Sequence, residues 1–164
     1  DYNPYTIKRC KDCDMSNGKM ELVFVPENEL CAACKLVREL AKTDAKQTRA
    51  AAKPLQGTII RNTHFHHDVN ITGTSIREWT NQPHKHFKAK NQMLLDINNV
   101  FSNAAYLGTT DNHKGIKRVV QSHIFEVEVS GEKNLLIVRE YDWGEYVLHS
   151  ISDSPELYNK IKKE

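Results

Sequence analysis

Apolar residues along this chain recur at two different periods, and the periods divide it into elements. Met93, Leu94, Ile97, Val100, Phe101 and Ala104 return every three or four residues, which predicts a helix from about Lys88 to Ala105 with this stripe toward a core. Leu36, Val37, Leu40 and Ala41 predict another helix after Cys34, running polar and Ala-rich to Lys53, where Pro54 stops it. Thr74 or Ser75 is placed to cap a helix from Ile76, with Glu78 near the capping-box position and Asn81-Gln82-Pro83 as its interruption. Elsewhere the period is two. His123, Phe125, Val127 and Val129 alternate with Ile124, Glu126 and Glu128, as a strand requires. Gly131 to Asn134 reads as a turn, Leu135 to Glu140 as a second strand and Glu145 to Ser150 as a third. Thr58 to Ile60 and Val69 to Ile71 are further short strands. Helices followed by a three-stranded antiparallel meander predict an α+β class.

Along the chain this gives three stretches. Residues 1–44 hold all four cysteines, 45–56 form an Ala-rich helical spacer, and 57–164 form the α+β domain. The chain has 164 residues, enough for such a domain plus a small module. Hydrophobic residues make up 39% and charged residues 27%, a globular composition rather than a disordered one. The longest apolar runs are a few residues, so no membrane helix is expected and no membrane partner. No signal peptide is evident; opening at Asp1 without Met, the sequence is expected to be a fragment of a longer polypeptide. A bacterial cytoplasmic or virion-associated location follows as the expectation.

The net charge of +2 does not point to nucleic acid, but its distribution bears on it. Arg77, Lys85, Lys88 and Lys90, with His84 and His86, form one basic cluster; His113, Lys114, Lys117, Arg118 and His123 form another. Each is either a solvated face or a phosphate-binding surface.

The cysteines occur as two Cys-x-x-Cys pairs, Cys10 with Cys13 and Cys31 with Cys34, separated by 17 residues. Two such knuckles complete a tetrahedral four-thiolate shell for zinc, with no open position for a catalytic water, so the metal is expected to be structural. Two disulfides lack a secretory context, and a redox pair normally occurs once, at a helix start. Between the knuckles, Met20 to Pro26 has strand character, with a hairpin expected at Asn17-Gly18. His64, His66 and His67 offer a second metal set, but only Asp68 accompanies them, which favours a polar surface strand or loop.

Several strings in the second part are familiar: Ser75 to Glu78, Asn81 to Lys85, Gln121 to Phe125, Val138 to Glu140 and His149 to Ile151. Together they resemble the phage-associated nuclease domains of the barnase/EndoU/colicin/RelE-like group, found at the C-termini of MuF-type phage head proteins and polymorphic toxins. The segment Ile7 to Cys34 is similar to one near the end of such head proteins. The resemblance implies helices packed on a small antiparallel sheet and metal-independent cleavage of an RNA substrate. Its implied partners are an immunity protein or phage head proteins. That chemistry needs a base for the 2′-hydroxyl, an acid for the leaving oxygen and a cation on the phosphorane. His84 is the expected base, His123 the acid and Arg139 the phosphate cation, with Arg77 and Ser150 as further candidates.

Each candidate also has a purely structural reading. Arg139, for instance, is positioned to pair across strands with Glu126 or Glu128. The leading function is a toxin-like ribonuclease domain carried by a phage or mobile element. The alternatives are a non-catalytic head-associated module stapled by zinc, and a nucleic-acid-binding protein whose zinc module docks on DNA. A metal-dependent nuclease fits less well, because no tight Asp/Glu/His constellation stands outside the cysteines.

Overall fold

The computed structural model describes residues 32–81, 86–112 and 114–162. Cys10, Cys13, Cys31, the Asn17-Gly18 hairpin and His84 therefore lie outside the described residues, as does the side chain of Cys34. The elements in order are α1 (Ala32–Ala52), β1 (Ile59–Asn62), β2 (Phe65–Asn70), α2 (Gly73–Asn81), α3 (Phe87–Leu95) and α4 (Ile97–Asn103). They continue with β3 (Ala105–Asp111), β4 (Val119–Val129), β5 (Glu132–Tyr141), β6 (Tyr146–Ser152) and α5 (Pro155–Lys160).

The class is α+β; the three meander strands, the two short strands expected before them and the unexpected β3 form one six-stranded sheet, in the order β1-β2-β6-β5-β4-β3. All neighbours are antiparallel except β2 and β6, which run parallel. The helix expected over Lys88 to Ala105 is two helices. Asp96 leaves the helical conformation at φ −113° and ψ 29°, and its carboxylate accepts from the Asn99 amide at 3.0 Å. Short Asp and Asn side chains compete with the backbone in this way and break helices. The α2 cap also sits two to three residues earlier than expected, at Thr72. Thr72 and Ser75 exchange side-chain to backbone bonds of 3.0 and 3.1 Å. This is the reciprocal pattern of a capping box, with Ser75 in the Glu or Gln position.

One face of the sheet, the inner face, carries the core. Phe125, Val129, Leu136, Val138, Leu148 and Ile151 pack there against Ile76, Trp79, Leu94, Ile97 and Phe101. Each such side chain contributes about 1.5–3 kcal/mol on removal from water. Residues of the spacer stretch take part in this packing. Ala45, Thr48 and Ala52 are buried, the Asn91 amide donates to Asp44 at 2.7 Å, and Arg49 donates to Asn81 at 2.8 Å. Lys90, one of the basic residues expected on a solvated face or a phosphate-binding surface, is instead buried and paired with Asp153 at 3.5 Å.

The opposite, outer face is partly covered by α5, whose Tyr158 hydroxyl donates to Glu126 at 2.9 Å. Burial and that bond push the Tyr158 pKa up to about 12. The chain then closes the sheet edge: Lys162 exchanges backbone bonds with Thr109 of β3. Gly108, at φ +135°, makes this approach possible, because a Cβ there would collide with the Lys162 carbonyl.

Candidate phosphate-binding cleft

Alternation along the strands decides which side chains meet on the outer face. On β4 these are Ser122 and Ile124; on β5, Ile137 and Arg139. Ser122 stands opposite Arg139, and Ile137 opposite Ser150. On β6 the register slips: Val138 pairs with Leu148 while Ile137 pairs with Ser150, so His149 is an extra residue. A bulge of this kind turns two consecutive side chains toward one face. His149 and Ser150 accordingly line the same cleft as Arg139.

The cleft holds about 460 Å³. Its walls are the β3–β4 connection and α5, which add Lys114 and Lys160. Asn112 braces the connection: its amide donates to the carbonyls of Ile116 and Val119 at 2.7 and 3.0 Å, and its oxygen accepts from the Ile116 amide at 2.9 Å. Of the two acidic residues at the rim, Asp111 is held by Lys162 at 2.8 Å; the other is Glu156. Arg139 makes no ion pair among the described residues. Glu126, its expected partner, instead takes the Tyr158 hydroxyl and Lys133, the latter at 3.9 Å. Burial, then the positive charges of Arg139 and Lys114, push the His149 pKa down to about 4. His149 is therefore neutral at pH 7, with a lone pair available to accept a proton.

Of the residues expected in a catalytic set, Arg139 and Ser150 come together here and His123 does not. His123 faces the inner side, 5% exposed, behind the core. Its Nε2 lies 2.7 Å from Glu140 and its Nδ1 2.9 Å from the Tyr106 hydroxyl. Because a carboxylate only accepts, Glu140 fixes the proton on Nε2. Burial raises the Glu140 pKa, but hydrogen bonds from Gln121 and His123 and the charges of His123 and His67 outweigh it, leaving a net lowering. With both ring nitrogens engaged, His123 has the environment of a structural histidine. Arg77 is exposed on α2, donating to Thr74 at 3.0 Å. His66 and His67 lie on β2, and no group of three His, Cys, Asp or Glu side chains among the described residues is arranged to hold a metal ion.

The sequence reading missed His149, Lys114, Lys160 and Ser122 as a set. Lys114 was visible within a basic cluster, but the β6 bulge that aims His149 leaves no mark in the hydrophobic pattern.

Helices on the inner face of a mixed sheet, with a basic cleft on its outer face, define a two-layer α+β domain. The chain belongs to the family of large polyvalent protein-associated domain 3, which matches residues 39–157. The match begins within α1 and ends within α5, so it covers the whole sheet and the cleft lining except Lys160. This agrees with the coarser expectation of a phage-associated domain. No curated protein and no solved structure matches the chain.

Proposed function

We propose that this domain cleaves RNA without a divalent metal, in the outer-face cleft. The observation that carries the reading is the grouping of Arg139, Lys114 and Lys160 around a neutral His149 and the side chains of Ser122 and Ser150. A phosphodiester matches this set. The Arg139 fork suits two phosphate oxygens, and Lys114 adds a point charge. Burial is the main cause of the lowered His149 pKa; a bound phosphate offsets the lesser contributions of Arg139 and Lys114.

The reaction follows from these groups. His149 accepts the proton of the 2′-hydroxyl as that oxygen attacks phosphorus. Arg139 and Lys114 stabilise the extra charge of the phosphorane. The bond to the 5′-oxygen breaks, and an ammonium of the cleft, Lys114 or Lys160, supplies its proton. The products are a 2′,3′-cyclic phosphate and a free 5′-hydroxyl. DNA lacks the nucleophile and is spared. Incubation with total RNA and tRNA, with and without EDTA, tests the reading. Cleavage that persists in EDTA and leaves cyclic phosphate ends supports it. Intact RNA favours a non-catalytic interaction module, and equal digestion of DNA excludes the 2′-hydroxyl mechanism.

Cys10, Cys13, Cys31 and Cys34 are further proposed to hold one structural zinc. In support, Cys34 lies on α1, the helix whose Ala45 and Ala52 are buried in the α+β domain.

A further inference from the structure

After β6 the chain from Asp153 to Lys162 crosses the outer face, past β5 and β4, to the edge strand β3. It is fastened at three points. At its start Asp153 pairs with the buried Lys90 at 3.5 Å, and the Ser154 amide donates to the Ser152 hydroxyl at 3.1 Å. At its end Lys162 exchanges backbone bonds with Thr109 at 3.1 and 2.7 Å, and its ammonium holds Asp111. Between these ends α5 buries none of its residues. The Tyr158 hydroxyl, donating to Glu126 at 2.9 Å, is the side-chain hydrogen bond that ties α5 to the sheet among the described residues. A helix this short is not stable by itself in water, so its position depends on that bond, on the half-buried Leu157 and on the two ends.

Ser154, Glu156, Leu157 and Lys160 of this strap form one wall of the phosphate cleft. With the strap in place, the deepest part of the cleft is nearly sealed. Ser150 is 2% exposed, Thr110 5% and Ile124 0%, although all three line it. A volume of about 460 Å³ is that of a small-ligand pocket. An RNA strand continues on both sides of the bond to be cut, so it needs an open groove rather than a pocket. We propose that the strap 153–162 is a gate over the cleft, latched by Tyr158 on Glu126. Closed, it admits inorganic phosphate; open, it admits an internal phosphodiester of a polynucleotide. A weakly held surface element opens in this way while the sheet beneath stays folded. Lys160 rides on the gate, so closing over a bound strand brings that ammonium back to the phosphate. The gate deepens the ribonuclease reading and rests on it in taking RNA as the strand admitted.

The test is calorimetric binding of two probes to the full chain, inorganic phosphate and a short oligothymidylate, which lacks the 2′-hydroxyl and stays intact. Tyr158→Phe removes the latch and leaves Glu126 beside Lys133 at 3.9 Å. When the competent state is a minor population, apparent affinity falls by its fraction, so unlatching should tighten oligothymidylate binding by roughly five- to tenfold. Phosphate affinity should stay unchanged. Thr109→Cys with Lys162→Cys sets a disulfide across the paired residues that anchor the far end. Its oxidation should weaken oligothymidylate binding, and its reduction should restore it. An equal gain for both probes in Tyr158→Phe, or no gain for the oligonucleotide, overturns the gate. So does undiminished oligonucleotide binding by the crosslinked protein. No binding of either probe to any form overturns the gate together with the phosphate cleft. RNA cleavage is scored separately. Gated oligonucleotide binding without cleavage supports the gate and overturns the ribonuclease reading. Cleavage at one rate by wild type, Tyr158→Phe and the crosslinked protein upholds the ribonuclease and overturns the gate.

Discussion

His123 and Arg139 lie one rung apart on the β4–β5 ladder, yet they face opposite sides of the sheet. Arg139 pairs with Ser122, and His123 with Val138. An acid and a phosphate cation cannot act on one phosphate through a sheet, so the two residues belong to different constellations. His123 is bonded on both nitrogens behind the core, whereas Arg139 opens into the basic cleft.

His123→Ala should therefore separate stability from activity. It removes a donor from the half-buried Glu140 and a partner from Tyr106, which costs about 1–3 kcal/mol. The urea midpoint should fall, while kcat/KM on RNA stays within about tenfold of wild type. A loss of 10² or more in a folded His123→Ala protein would return His123 to the reacting groups.

The pH dependence of stability should carry the signature of His149. Its folded pKa lies near 4, below the unfolded value of about 6.5. The folded state thus disfavours the protonated form. Stability is full above the unfolded pKa and falls with pH between about 6.5 and 4, where the unfolded chain takes up a proton that the folded chain does not. Glu140, also lowered, acts further down, its contribution being lost as pH falls from the ordinary carboxylate value of 4.5. Urea midpoints measured from pH 7 to 5 should decline, and His149→Gln should flatten that decline.

Much of this architecture was legible in the sequence, and the misses have local causes. The stripe Leu94, Ile97, Phe101 and the alternation over β4 reported the core directly, because burial on one face imposes a period. β3 was hidden because Ala105 to Asp111 has Gly108 at its centre and an apolar pattern too weak to read as a strand. The split at Asp96 turned on one side chain competing with the backbone. The cleft turned on one inserted residue in β6, a matter of register between strands that no single-strand pattern contains. Arg139 and Ser150 were recognised as candidates, but their common neighbour His149 was not.

Gly108→Ala should loosen the covered edge. The position combines a φ that L-residues rarely adopt with a Cβ in collision with Lys162. Strain of this kind costs on the order of 1–3 kcal/mol. Amide exchange at Thr109 and Lys162, which are bonded to each other, should accelerate before the rest of the sheet opens. Unchanged protection at both amides would show that the tail does not depend on that glycine.

Elemental analysis of the native protein should find about one zinc per chain. Cys31→Ser should lose it and disorder the N-terminal module, while the near-ultraviolet signal of the buried Trp79 persists. Metal at less than a tenth of stoichiometry, with disulfides intact by mass, would contradict the four-thiolate site.

The most direct test of the outer-face cleft compares RNA cleavage by wild type, Arg139→Ala and His149→Ala in EDTA. The wild type should produce 2′,3′-cyclic phosphate ends, and each variant should be slower by about 10² to 10⁴ with its fold intact. Cleavage at wild-type rate by the double variant, or activity abolished by EDTA, would contradict the account.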